Sequence, residues 1–231
     1  SNSSSTRRFG KHLAMGLGLK NKTAAGLNRL KRLLNVGDYW YWLSPDQVDP
    51  EIPIAPLVRP LRYDILIRKS YFDFYAANRD LYRTDFDAYL EKARGHAYYA
   101  WFTRVLMVRF ESASIDDEVR TRELFAHRLR EAAKLHDSIE ANGFQPEHPI
   151  SPHTGLEILP TDTGLVFDQK YYMGDGCHRL ACLMSLGHRT LPREFVKVRC
   201  HRRLAPLDNT SMLQDHLPID WPDDLWQGGA P

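Results

Sequence analysis

The sequence predicts an α/β chain of the α+β kind: a small mixed sheet with flanking helices, a helical N-terminal extension before it and an extended C-terminal strap after it. Three observations predict this. Tyr171-Tyr172-Met173 is an apolar run that breaks at Gly174 and Gly176 and resumes at helical spacing with Leu180, Leu183 and Met184, which reads as strand, tight turn and helix start. Leu156–Leu159 and Leu165–Phe167 flank Pro160-Thr161-Asp162-Thr163-Gly164, which reads as a hairpin running on towards Tyr171. Ser114, followed by Asp116, Asp117 and Glu118, starts a helix that runs through Leu124, Leu129 and Leu135 to Ile139 and stops at Gly143. At 231 residues and 43% hydrophobic the chain can bury one sizeable core. The expected organisation is an extension over 1–60, a domain over 61–205 and a strap over 206–231.

Taken in order, residues 1–12 are Ser-rich and basic and predict disorder. From Thr23 to Val36, Leu27, Leu30, Leu33 and Leu34 share a helical face opposite Arg29 and Arg32, with Thr23 as N-cap and Gly37 as stop. This short basic amphipathic helix is expected to dock its leucines on the body; lying on a membrane surface or binding phosphate backbone are the alternatives. Tyr39-Trp40-Tyr41-Trp42 and the five prolines from Pro45 to Pro60 predict an irregular strap clamped to the core. Tyr63–Ile67 reads as a strand and Phe72–Glu91 as a helix, while Ala97–Phe110 fits either state. After the motif helix Gly187 closes a turn, and Phe195–Val198 makes a last strand. The tail from Pro206 to Pro231 is extended.

The 31 basic and 29 acidic residues nearly cancel, so the whole molecule has no strong field for nucleic acid or an anionic membrane. The asymmetry is local. Residues 1–36 carry Arg7, Arg8, Lys11, Lys20, Lys22, Arg29, Lys31 and Arg32 with no acid, whereas five Asp and no Lys or Arg follow from Asp208. Cys177, Cys182 and Cys200 are odd in number and lack scaffold spacing, which argues for a reducing cytoplasm over a disulfide-stapled secreted domain. No apolar run approaches the ~20 residues of a membrane span, and no signal-peptide pattern opens the chain. The histidines show no zinc spacing, and no structural zinc is expected.

The chemistry concentrates at Gly174-Asp175-Gly176-Cys177-His178-Arg179. A helix start offers amides with no internal partner and the positive end of a dipole, and His178 and Arg179 add donors beside it, so a phosphate-sized anion is the expected occupant. Asp175-Gly176-Cys177-His178-Arg179, then Leu186-Gly187 and Phe195-Val196-Lys197-Val198, resembles the D-G-x-H-R, L-G and closing strand of the ParB/sulfiredoxin superfamily. Leu135, Ser138-Ile139, Gly143 and Pro149 are similar to its helix-to-strand step upstream. The resemblance covers roughly residues 120–200 and implies that 61–205 is a nucleotide-binding domain with an N-terminal insertion. Gly174, Gly176, Cys177, His178 and Arg179 would then cradle the phosphates.

In the superfamily's free-serine kinase branch an aspartate matches Asp175. The resemblance therefore implies a kinase that uses ATP or ADP with Mg2+, Asp175 holding the metal or the acceptor hydroxyl. That branch also uses a glutamate ahead of the helix leading to Gly143; Glu123 is nearest, with Glu131 and His127 as rivals. Gly176-Cys177-His178-Arg179 also matches the end of the sulfiredoxin G-G-C-H-R, where the cysteine is the nucleophile, and a thiol at a helix N-terminus beside Arg and His suits that chemistry. Asp175 in place of the first glycine sets a negative charge near that thiol. A ParB-like DNA-associated role is a further alternative, with nucleic acid reached through the basic N-terminus; the thirty or so acidic, Pro-rich residues after the last strand do not suit a helix-turn-helix. The expectation taken forward is a nucleotide-dependent phosphotransferase acting on a small hydroxyl-bearing molecule, with catalytic candidates Asp175, Glu123 and Cys177.

Overall fold

A computed structural model describes residues 26–27, 29–59, 61–104, 117–161 and 163–209. The expected N-cap Thr23, the helix start at Ser114 and most of the C-terminal strap lie outside them. The described residues form an α+β structure, a small mixed sheet flanked by helices. Strands β1 (Trp40–Trp42), β3 (Ser151–Ile158), β4 (Tyr172–Asp175) and β6 (Arg199–Leu204) make a four-stranded sheet in the order β1-β6-β3-β4. β6 runs antiparallel to β1 and parallel to β3, and β3 runs antiparallel to β4. β2 (Glu51–Pro53) and β5 (Thr190–Pro192) form a separate antiparallel pair. No helix among these residues is long and apolar enough to cross a membrane.

The expected strand at Tyr63–Ile67 is instead the first turns of a helix. After α1 (Ile54–Val58), α2 runs over Tyr63–Ala77, and six consecutive residues from Tyr63 to Arg68 are buried. A helix enclosed on every side shows no amphipathic period, so its β-branched residues imitate a buried strand. The pairs Asp64–Arg68 and Lys69–Asp73 sit at the four-residue spacing that only a helix brings side by side. The single helix expected over Phe72–Glu91 is divided among α2, α3 (Arg79–Thr84) and α4 (Phe86–Arg94), the last capped by the Asp85 carboxylate on the Ala88 N–H. Ala97–Trp101 is helical, α5.

α6 (Glu118–Asn142) is the long helix expected from the acidic start. Asp117 caps it through the Arg120 N–H, and Gly143, at φ 75°, ends it. The turn at Thr161–Leu165 forms as expected, with the Thr161 N–H donating to the Leu165 carbonyl. The returning strand, however, starts only at Tyr172. Leu165 and Val166 are exposed, outside any strand. Phe195–Val198 touches the sheet through one bridge, Ile150 to Val196, and the true last strand is β6. The aromatic run is no irregular strap but the edge strand β1, with the Arg199 guanidinium of the neighbouring strand over its Trp40 ring. The core lies between the sheet and helices α2, α4, α5, α6 and α7 (Cys177–Ser185), filled by Tyr63, Tyr71, Phe72, Tyr75, Tyr98, Trp101 and Phe125.

The N-terminal leucines do not dock. Leu27, Leu30, Leu33 and Leu34 are all exposed, and the contacts of this segment with the body come instead from Lys31, Arg32 and Asn35.

Candidate anion-binding turn

The turn between β4 and α7 is built by two glycines with different reasons. Gly176 sits at φ 89°, a left-handed conformation that a side chain resists. Gly174 is demanded by space: a Cβ there would lie 2.6 Å from the Ser151 carbonyl and collide with the His153 ring, because β3 crosses directly behind. Gly176 is the N-cap and supplies no side-chain cap. The N–H groups of Cys177, His178 and Arg179 therefore begin the helix without a carbonyl one turn back to bond. Leu183 and Met184 carbonyls accept from His188 and Gly187, closing α7 with Gly187 at φ 90°.

Each predicted residue of the turn takes a definite position. Asp175 is exposed, and its Oδ1 accepts the Gly176 N–H at 2.7 Å. The Cys177 thiol is half-buried, 3.0 Å from Arg62 Nη2, and faces the Gly174 carbonyl at 3.7 Å. His178 Nε2 lies 3.2 Å from the Tyr98 hydroxyl. Burial, then Arg68 and Arg128, lowers the His178 pKa well below the usual imidazole range, so the ring is neutral at physiological pH and its charge is not among the donors. Arg179 packs its Nη2 against Gly176, and its buried Nε has no hydrogen-bond partner. The same guanidinium lines a pocket of about 110 Å³ with Leu135, Ser138, Ile139, Phe144, Gln145 and His148.

Beneath the turn lies a buried charged network that the sequence did not reveal. Arg62 donates through Nε and Nη2 to the two Asp64 oxygens at 2.9 and 3.1 Å and through Nη1 to the Met173 carbonyl at 2.7 Å. Asp64 also accepts from Arg68 and, at 2.8 Å, from Asn209 Nδ2. Burial pushes the Asp64 carboxyl up, but Arg68 and Arg62 overcome it and hold it well below the usual carboxylate range. Arg68 in turn lies 4.3 Å from the Trp101 ring centre. The signal available was composition alone: two arginines and an aspartate within an apolar stretch, a pattern that burial makes costly unless the charges pair.

Glu123 is not brought to this site. It is exposed on α6, on the side away from the buried stripe Thr121, Phe125, Leu129 and Ala132; His127 and Glu131 are exposed there too. His136, Asp137 and Glu140 come together on the same helix, but Arg79 already occupies them, its Nη2 3.3 Å from Asp137, 2.7 Å from Glu140 and 3.1 Å from His136 Nδ1. A second pocket, of about 230 Å³, is lined by Asp49, Ile52, Pro53, Pro56, Leu57 and Gln169–Tyr171. It adjoins the start of β4, roughly 13 Å of strand from Asp175.

Comparison of the chain with protein-family models, curated proteins and solved structures finds no match.

Proposed function

We propose that this protein is a nucleotide-dependent phosphotransferase of the ParB/sulfiredoxin type, acting on a small hydroxyl-bearing molecule in a reducing cytoplasm, with the phosphates of ATP or ADP on the Gly174–Arg179 turn. The observation that carries the reading is Arg179. Its Nε is buried and without a partner among the described residues, its side chain lines a pocket, and its own N–H is the last of three helix-start amides that have no carbonyl to bond. Arg68, Arg79, Arg193 and Arg199 also have a partnerless buried Nε, and Arg179 is set apart by lining a pocket at a helix start, where an anion would satisfy it. About 110 Å³ falls short of the ~300 Å³ of a whole small-molecule site, so the pocket takes one part of the nucleotide and the rest lies along the surface.

In the transfer the acceptor oxygen bonds to the terminal phosphorus, the bond to the bridging oxygen breaks, and the remaining nucleotide leaves with that electron pair. The amides of Cys177–Arg179 and the Arg179 guanidinium hold the charge of the equatorial oxygens. Asp175, two residues ahead of the first of those amides and exposed, takes the hydroxyl proton or orients the hydroxyl. A single exposed carboxylate also fits Mg2+, which draws most of its ligands from phosphate and water, and the ion would supply further charge between the phosphates.

A second reading rests on the 3.0 Å approach of Arg62 to Cys177, which suits a thiolate nucleophile of the sulfiredoxin kind. One experiment separates the two. Wild type, Asp175→Asn and Cys177→Ser are compared for nucleotide affinity, with and without magnesium, and for transfer of labelled terminal phosphate to pooled hydroxyl-bearing metabolites. The kinase reading expects Asp175→Asn to keep its affinity and lose on the order of 10²-fold in turnover, with Cys177→Ser largely active. A dead Cys177→Ser protein that still binds nucleotide supports the thiol reading. Absence of any phosphorylated product with wild type ends the kinase reading.

A further inference from the structure

We infer that the N-terminal helix, together with strand β1 beside it, is a docking surface for an anionic lipid bilayer. Residues 29–34 are helical, and their apolar side chains face water: Leu33 is 76% exposed, Leu34 61%, with Leu27, Leu30 and Val36 about half exposed. Such a contiguous apolar face on a surface signals an unfilled interaction. Contacts on the other side hold it outward. The Arg32 guanidinium lies 3.7 Å from the Tyr41 ring centre, Lys31 Nζ donates to the Asp38 carbonyl at 3.2 Å, and the Tyr39 hydroxyl donates to Asn35 Oδ1 at 3.1 Å. The helix is thus fixed to β1 by its polar side, and burying the leucines on the body would require breaking all three contacts.

Charge selects the occupant. Residues 1–36 carry eight Lys and Arg and no Asp or Glu, so the partner is polyanionic. Nucleic acid would satisfy the bases but offers no apolar medium for four leucines. An anionic bilayer supplies both, with headgroups for the cations and acyl chains for the leucines. The adjoining strand extends the same chemistry. Trp42 is exposed, Lys197 Nζ lies 4.8 Å from its ring centre, and Arg199 lies 3.4 Å from that of Trp40. Aromatic rings paired with cations are the residues that settle at the headgroup level. This surface is independent of the nucleotide reading.

The test is co-sedimentation of the full chain with vesicles of phosphatidylcholine alone and of phosphatidylcholine containing about one third phosphatidylserine. Binding is expected to the anionic vesicles, weakened by salt. Leu33→Asp with Leu34→Asp should lower it by at least about tenfold, with an unchanged melting temperature because these side chains are outside the core. Failure of wild type to sediment with anionic vesicles, or binding untouched by the double replacement, overturns the proposal. So does either of two other results without vesicle binding. Binding to a duplex oligonucleotide that survives the replacement would assign the basic residues to nucleic acid, and a dimer that the replacement dissolves would put a second copy on the leucines.

Discussion

Replacing Asp64 with Asn keeps the shape beneath the turn and removes its charge. Asp64 is 5% exposed and accepts from Arg62 at 2.9 and 3.1 Å, from Asn209 at 2.8 Å and from Arg68. An amide keeps one acceptor and turns the other position into a donor facing donors, so two buried guanidiniums lose their carboxylate. Breaking a buried ion pair from one side costs about 3–5 kcal/mol, out of roughly 5–15 for a whole domain. At a urea m-value of ~3 kcal/mol/M the midpoint should fall by about 1–1.7 M. Urea titrations at pH 7 followed by tryptophan fluorescence and by circular dichroism provide the measurement, since Trp101 is buried beside Arg68. Acid supplies a second arm. The Asp64 pKa is lowered on folding, so its contribution is complete above the ordinary carboxylate pKa of ~4 and is lost as pH falls further towards the folded value. The gap between wild type and variant should therefore narrow between about pH 5 and pH 2. A midpoint change under ~0.3 M at pH 7, or a gap that persists in acid, would refute the reasoning.

Arg179→Ala should weaken nucleotide binding by about 10- to 150-fold, the loss of a charge-assisted contact of ~1.5–3 kcal/mol; calorimetric titration that finds unchanged affinity in a folded variant places the phosphates elsewhere. Gly174→Ala should lower stability by roughly 1–3 kcal/mol, since its Cβ meets the Ser151 carbonyl at 2.6 Å, and a melting temperature equal to wild type would show that β4 can move off β3 at no cost. Burial, then His201 and Arg199, lowers His153 to about 4. The unfolded chain then binds a proton below pH ~6.5 that the folded ring refuses. Stability from this group should fall as pH drops from about 6.5 to about 4, and His153→Gln should flatten that part of the profile. A ring titrating near 6.5 by NMR in the folded protein contradicts this.

The turn was legible because everything that makes it is local. Gly174, Gly176 and Gly187 stand where the backbone needs them and bracket the short helix, whose run Leu180–Met184 is buried throughout, so the glycines rather than one apolar face mark it. Gly143 and the acidic start of α6 were readable for the same reason. The first turns of α2 were not, because burial on every side erases the period that separates helix from strand. Strand β6 was hidden by Arg199, His201, Arg202 and Arg203: Arg199 lies over the Trp40 ring, Arg202 donates to the Gly37 carbonyl and Arg203 pairs with Asp38, contacts made across more than a hundred residues of chain. Glu123 stands near the turn only by sequence order, and the helix's phase puts it on the exposed side, away from the buried stripe of Thr121, Phe125 and Leu129.

The partners of the turn were the least readable, and they set its chemistry. Arg62 reaches Cys177 across 115 positions, Tyr98 reaches His178 across 80, and Asn209 reaches Asp64 across 145. Residues 61–104 are therefore the floor of the turn rather than an appendage. That floor bears on the choice between thiol and phosphate chemistry. Arg62 is already bidentate on Asp64, so the charge it can lend to a thiolate is shared with a carboxylate that binds it more closely. The imidazole of His178 is held neutral by burial first and by Arg68 and Arg128 after it. A neutral His178 adds no charge of its own, and Arg62 and Arg68 are already held by Asp64, so the donors left for a ligand are the helix-start amides and Arg179. Separate donors of that kind favour an incoming polyanion over one thiolate, since several phosphate oxygens can use them at once.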